Sequence, residues 1–129
     1  MFDEINERRL DGLRILVAEN DYIQCDGIVS CLAAMGATVV GPAHSLPEAR
    51  QLLASNSIHF AIIDINLGDG VSFDLADALQ SRSLPFIFAT GYDCRNIPPE
   101  LRHIKCLPKP FTEHALVSLL VDTVSETRH

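Results

Sequence analysis

At 129 residues, with 47% hydrophobic and 21% charged side chains, the chain suits one compact domain with its own core and leaves no room for a second. Its formal net charge of -7 sets it against phosphate backbones and anionic membranes, so no nucleic-acid or membrane partner is expected. No signal peptide opens the chain, no stretch approaches a membrane span, and Cys25, Cys31, Cys94 and Cys106 form no C-x-x-C pair, which excludes a zinc ribbon and a thioredoxin motif. The expectation is a cytoplasmic protein whose reduced thiols pack as small apolar groups.

Residues 1–12 read as a solvated, flexible leader, and residues 13–127 as the domain. Arg14-Ile15-Leu16-Val17-Ala18 is a short continuous apolar run, the pattern of a strand buried on both faces. It stops at Glu19-Asn20-Asp21. Ile23, Ile28, Val29, Cys31, Leu32 and Met35 then recur at helical spacing, with Asn20 or Asp21 as the cap and Gly36 placed to end the helix. Thr38-Val39-Val40-Gly41 is a second strand. Ser45-Leu46-Pro47-Glu48 has capping-box spacing and opens a second helix. Phe60 to Ile65 is a third strand, Gly68-Asp69-Gly70 a turn, and Phe73 to Leu79 a third helix.

Pro85 to Thr90 is a fourth strand, with the proline at its start. Beyond it, Gly91 to His103 carries adjacent prolines, Pro98 and Pro99, and little apolar periodicity. The helix due there is predicted to be very short or absent. Ile104 to Leu107 is a fifth strand, and Thr112 caps a last helix bearing Leu116, Leu119, Leu120 and Val124. Strands alternating with helices imply right-handed crossovers and a parallel sheet covered on both faces, with sites beyond the carboxyl ends of the strands.

Those ends carry Glu19-Asn20-Asp21, Asp64, Thr90 and Lys109. A reversible phosphoryl transfer to a carboxylate needs such a set: an ionised nucleophile, hard oxygen ligands for a divalent cation, a fixed ammonium, and a hydroxyl to detect the product. Asp64 is the candidate phosphoacceptor. Glu19, Asn20, Asp64 and the backbone carbonyl of Asn66 are the candidate Mg²⁺ ligands. Lys109 is the charge partner of the phosphoryl group and Thr90 its sensor.

The strings Ile15-Leu16-Val17-Ala18-Glu19-Asn20-Asp21, Ile62-Ile63-Asp64-Ile65-Asn66-Leu67, Thr90-Gly91 and Lys109-Pro110-Phe111 stand in order over nearly the whole chain. Together they resemble the receiver domain of two-component response regulators. Pro85-Phe86-Ile87-Phe88-Ala89-Thr90-Gly91-Tyr92 further resembles the FATGUY subgroup of single-domain receivers, in which the fourth helix is reduced.

The resemblance implies a CheY-like (flavodoxin-like) α/β fold: a doubly wound, five-stranded parallel sheet in strand order 2-1-3-4-5. It implies Mg²⁺-dependent phosphotransfer to Asp64 from a histidine kinase of the HWE/HisKA2 type, and a cis peptide before Pro110. It also implies a phosphoacceptor rather than an enzyme, passing its output to a downstream protein or phosphotransfer protein, because the chain ends right after its last helix.

Two departures from the family pattern matter. Asn20 stands where receivers usually carry a second acid, so Mg²⁺ binding is expected to be weak. Cys106 stands where many carry an aromatic that rotates on switching, so the signal from Thr90 is expected to leave through Tyr92, a candidate gate, and the loose segment after it. Asn20 also supports one competing reading, a pseudo-receiver that binds partners without being phosphorylated. A flavodoxin-like cofactor site is disfavoured, because the acidic loop after the first strand would repel a phosphate. None of the five histidines has metal-ligand spacing.

Overall fold

A computed structural model describes residues 9–127. Five strands form one parallel sheet: β1 (Arg14–Ala18), β2 (Thr38–Ala43), β3 (Phe60–Ile63), β4 (Phe86–Thr90) and β5 (Cys106–Pro108). Their order is β2-β1-β3-β4-β5, as the resemblance implied. Four α-helices accompany them: α1 (Tyr22–Ala34), α2 (Leu46–Ser55), α3 (Asp74–Ser81) and α4 (Glu113–Thr127). No helix among the described residues is long and apolar enough to cross a membrane.

The period-2 alternation of side chains along a strand explains the two cores. Ile15 and Val17, Phe60 and Ile62, Ile87 and Ala89 face one side, where Cys25, Ile28 and Leu32 of α1 and Leu116, Leu120 and Val124 of α4 cover them. Leu16 and Ala18, Ala61 and Ile63, Phe86 and Phe88 face the other, under Ala49 and Leu53 of α2 and Leu75, Ala76 and Leu79 of α3. Both faces are apolar, so the central strands read as continuous runs rather than alternating ones.

Helix starts follow their capping residues. Asp21, not Asn20, caps α1, accepting the N–H groups of Ile23 and Gln24 at 3.0 and 3.2 Å. Ser45 caps α2 through the Glu48 N–H at 3.2 Å, and Thr112 accepts the Ala115 N–H at 3.0 Å ahead of α4. Between β4 and β5 there are only two short 3₁₀ turns, Cys94–Asn96 and Pro99–Leu101. The expected loss of that helix follows from Pro98 and Pro99, which cannot supply the N–H groups an α-helix requires.

Several expectations are corrected. β2 continues past Gly41 to Ala43, because it is an edge strand whose register against β1 shifts between Leu16 and Ala18, and an edge tolerates Pro42. β5 is displaced toward Pro108, since Leu107 and Pro108 are the residues that pair with Ala89 and Thr90. The cysteines do not all remain thiols. Cys25 and Cys31 are buried and free, whereas Cys94 and Cys106 are joined in a disulfide. Residues 1–8 of the expected leader lie outside the described residues. The end of that segment packs onto the domain, because Leu10 is a core residue whose N–H reaches the Met35 carbonyl at 3.0 Å.

Candidate functional site

The backbone fixes the site before any side chain is considered. Each strand end is pinned to its neighbour: the Glu19 N–H donates to the Ala43 carbonyl at 2.9 Å, the Asp64 N–H to Ala18 at 2.9 Å, and the Lys109 N–H to Thr90 at 2.8 Å. These ladder bonds bring four loops to one pole of the sheet, the crevice beyond the carboxyl ends. The resulting pocket, about 550 Å³, is lined by Glu19, Asn20, Asp64, Asn66, Thr90 and Lys109 among others.

Asp64 follows β3 directly and is 8% exposed. Its Oδ1 accepts the Thr90 hydroxyl at 2.6 Å and the Asn66 N–H at 3.1 Å, and its Oδ2 accepts Lys109 Nζ at 2.9 Å. Burial alone would push its pKa up. The hydrogen bonds from Thr90, Lys109 and the Asn66 N–H outweigh that cost and hold it below the ordinary carboxylate value. Asp64 is therefore an anion at neutral pH, with the lone pairs a nucleophile needs.

Glu19 is buried at the end of β1, 1% exposed. One oxygen accepts the Asp21 N–H at 2.9 Å, and the carboxylate takes Lys109 Nζ at 2.8 Å. Burial, with the nearby charge of Asp64, keeps its pKa raised despite those bonds. Lys109 thus serves both acids at once. Burial pulls its pKa down, but the two carboxylates outweigh burial and keep it raised, so the group is a fixed cation. The Lys109–Pro110 peptide is cis.

Asn20 is exposed at the rim of the pocket, freed from the capping role that Asp21 takes. It lies over Gly68, whose φ is +102°; a side chain there would meet the Asn20 amide oxygen at 3.3 Å. Among the described residues no cluster of three or more His, Cys, Asp or Glu could hold a metal ion. The donors present are instead oxygens of mixed type: the Glu19 and Asp64 carboxylates, the Asn20 amide and the Asn66 carbonyl. All are hard donors, and that set fits Mg²⁺ by its chemistry.

Tyr92 stands beside the site rather than in its charge network. Its N–H donates to Thr90 Oγ1 at 3.1 Å and its hydroxyl to the Asn96 carbonyl at 3.3 Å. Its ring meets Phe73 edge-on at 6.0 Å. Thr90 therefore links Asp64 to the backbone of Tyr92 through one hydroxyl.

One contributor was not foreseen. His44 Nδ1 lies 2.8 Å from the Glu19 carbonyl, which can only accept, so that nitrogen carries the proton. The ring also packs on Tyr22, with centroids 4.5 Å apart. Only the irregular end of β2 brings His44 there, and no spacing in the sequence signals it.

Comparison with known proteins supplies the family. No family model matches the chain. The sensory transduction protein LytT of Bacillus anthracis is 27% identical over 112 residues, which is 84% of this chain and 46% of LytT. The BeF3-activated solution structure of SdrG from Pseudomonas melonis Fr1 is 30% identical with a TM-score of 0.71, covering 83% of this chain and 92% of SdrG. The non-phosphorylated HemR receiver domain of Leptospira biflexa is 26% identical with a TM-score of 0.76, covering 88% and 94%. The response regulator PhyR of Brucella abortus shares the fold, with a TM-score of 0.82 at 24% identity over 95% of this chain and 52% of PhyR.

The chain belongs to the CheY-like receiver domains of two-component response regulators. It spans about half the length of LytT and PhyR, and nearly all of the SdrG chain and of the HemR receiver domain.

Proposed function

We propose that Asp64 accepts a phosphoryl group from the phosphohistidine of a histidine kinase of the HWE/HisKA2 type. The observation that carries this reading is the junction at Asp64. One buried carboxylate takes a hydroxyl from Thr90 and an ammonium from Lys109, at the carboxyl edge of a parallel sheet. A carboxylate oxygen attacks phosphorus, the P–N bond to imidazole breaks, and the imidazole nitrogen takes up a proton. Charge gathers on the phosphoryl oxygens, and Lys109, already at hydrogen-bond distance, offsets part of it. Glu19, Asn20, Asp64 and the Asn66 carbonyl would hold Mg²⁺, which supplies further neutralisation of the phosphoryl charge when bound. Thr90 then exchanges its carboxylate partner for a phosphoryl oxygen.

The chain acts through protein contacts, as shuttle, sink or phosphorylation-dependent partner for a downstream protein or phosphotransfer protein, in the cytoplasm. The string Pro85 to Tyr92 and the missing helix between β4 and β5 support assignment to the FATGUY subgroup. That SdrG, a similar chain, has a BeF3-activated conformation supports beryllofluoride as a phosphoryl mimic here.

Incubation with a small phosphodonor and Mg²⁺ should add the mass of one phosphoryl group, and Asp64→Asn should abolish the gain. Absence of labelling under donors that label ordinary receivers would sink the reading. Asn20, neutral where a carboxylate is usual, is the one observation favouring a pseudo-receiver. That alternative prevails if Asp64→Asn leaves partner binding and signalling unchanged.

A further inference from the structure

The segment that leaves the site after Thr90 is held in an unusual way. No α-helix spans it, and its first turn, Cys94–Asn96, is capped by the exposed Asp93. The Tyr92 N–H ties it to Thr90, the Tyr92 hydroxyl closes on Asn96 within the segment, and its next buried side chain is Ile97, whose carbonyl accepts Arg102 Nε at 3.1 Å. A further tie is covalent. Cys94, at the start of the turn, is bonded to Cys106 of β5, with Cα atoms 6.0 Å apart and a sequence separation of 12. Cys106 pairs with Phe88 of β4 in the sheet, so the bond fastens the turn to the rigid part of the molecule.

We propose that Cys94–Cys106 is a redox modification site that sets whether the segment after Thr90 can move when Asp64 is phosphorylated. The proposal rests on the phosphoacceptor reading for what it regulates. Closed, the bond keeps the turn against β5, so a change at Thr90 stops at Tyr92. Open, the turn keeps the Tyr92 hydroxyl bond to Asn96, at 3.3 Å, and the anchor at Ile97, whose carbonyl accepts Arg102 Nε at 3.1 Å.

Three observations support exchange at this bond. Both sulfurs belong to half-buried residues, so a reducing thiol has a route to them. Cys94 and Cys106 pack against the second core from its edge rather than among its buried residues, so opening the bond leaves the buried cores in place. The other thiols cannot compete, because Cys25 and Cys31 are buried, and burial pushes the Cys31 thiol up to about 11.

The reductant is a dithiol. One of its thiolates attacks Cys94 or Cys106 sulfur, the protein S–S bond breaks and a mixed disulfide forms. The second thiol resolves it, leaving two protein thiols and the donor as its disulfide. Two electrons and two protons pass to the protein. A small-molecule disulfide reverses the reaction by the same two exchanges.

The test uses the whole chain in three forms: oxidised with a small-molecule disulfide, reduced with dithiothreitol, and Cys94→Ser. Alkylation of the folded protein followed by mass mapping should label no cysteine in the oxidised form, and Cys94 and Cys106 after reduction. Amide exchange over residues 92–97 should accelerate about tenfold on reduction. Cys94→Ser should exchange at the reduced rate whether or not reductant is present. Beryllofluoride with Mg²⁺ should then shift the amide resonances of residues 94–97 in the reduced form and leave them in place in the oxidised form.

Failure of the bond to form under oxidation overturns the proposal. So does equal exchange of residues 92–97 in the oxidised and reduced forms, whatever happens at Asp64. An equal spread of the beryllofluoride response in both forms overturns it as well. Failure of the phosphoacceptor reading looks different: beryllofluoride then shifts neither Asn66 nor Thr90 in any of the three forms.

Discussion

Lys109 Nζ stands 2.9 Å from Asp64 Oδ2, and the two residues are 45 positions apart in the chain. The same ammonium is 2.8 Å from Glu19. One lysine therefore neutralises half of a buried pair of acids, and the site has a net charge of -1 from these three groups. With aspartate at position 20 the same pocket would carry one negative charge more.

Removing that ammonium should be costly. In Lys109→Ala the two acids face each other with neither a cation nor full access to water. Breaking a buried ion pair by deleting one partner costs about 3–5 kcal/mol. Urea denaturation should show a loss of that order. Millimolar Mg²⁺ should recover part of it, and raise the midpoint of the variant more than that of the wild type. An equal Mg²⁺ effect on both would show that Lys109 does not stand in for a divalent cation.

Asn20→Asp should tighten Mg²⁺ binding. Asn20 is exposed, so the added charge acts through a water-like dielectric, where a close divalent–monovalent contact is worth roughly 1–2 kcal/mol. That predicts a gain of about five- to thirtyfold in affinity by calorimetric titration. Equal affinities would remove the explanation offered for a weak site.

The central strands and the positions of Asp64, Thr90 and Lys109 were legible because each lies in or just after an apolar run, and a parallel sheet puts all such ends at one pole. The missing helix was legible because two adjacent prolines are a local veto. The disulfide was not. Nothing in the spacing of Cys94 and Cys106 distinguishes them from Cys25 and Cys31, and the pairing exists only because the turn folds back onto β5. His44 was equally hidden, since its approach to Glu19 depends on a register shift in an edge strand. The cap of α1 was a choice between two neighbours, and only the geometry gives it to Asp21.

The opposite shifts of Glu19 and Asp64 predict a particular pH profile. Glu19 titrates above its ordinary value of 4.5, so on acidification the folded state takes up this proton before the unfolded chain does. Stability therefore rises as pH falls from neutrality through the raised value, and levels off below 4.5. Asp64 titrates below its ordinary 3.8, so its contribution is whole above 3.8 and is lost as pH falls through the lowered value. Stability should peak at mildly acidic pH, between the two. Glu19→Gln should abolish the rise on the neutral side and keep the acid-side fall. Parallel profiles for wild type and variant, in urea midpoints against pH, would refute the assignment to Glu19.

Thr90 offers the sharpest separation between binding and response. Its hydroxyl donates to Asp64 at 2.6 Å while accepting the Tyr92 N–H at 3.1 Å, and the residue is 1% exposed. Thr90→Ala deletes both bonds and leaves the Tyr92 N–H without that acceptor, at a cost of about 1–3 kcal/mol. It also removes one of the donors that depress the Asp64 pKa, so that value should rise toward the ordinary one. Lys109 and the Asn66 N–H remain, so beryllofluoride should still bind at Asp64 and shift Asn66. The shift at Tyr92 and beyond should disappear, in the reduced protein as well as the oxidised. Thr90→Ser keeps the hydroxyl and should restore both the stability and the shift at Tyr92. If Thr90→Ala transmits the response to Tyr92 as the wild type does, the hydroxyl is not the link, and the edge contact between Phe73 and Tyr92 becomes the next route to test.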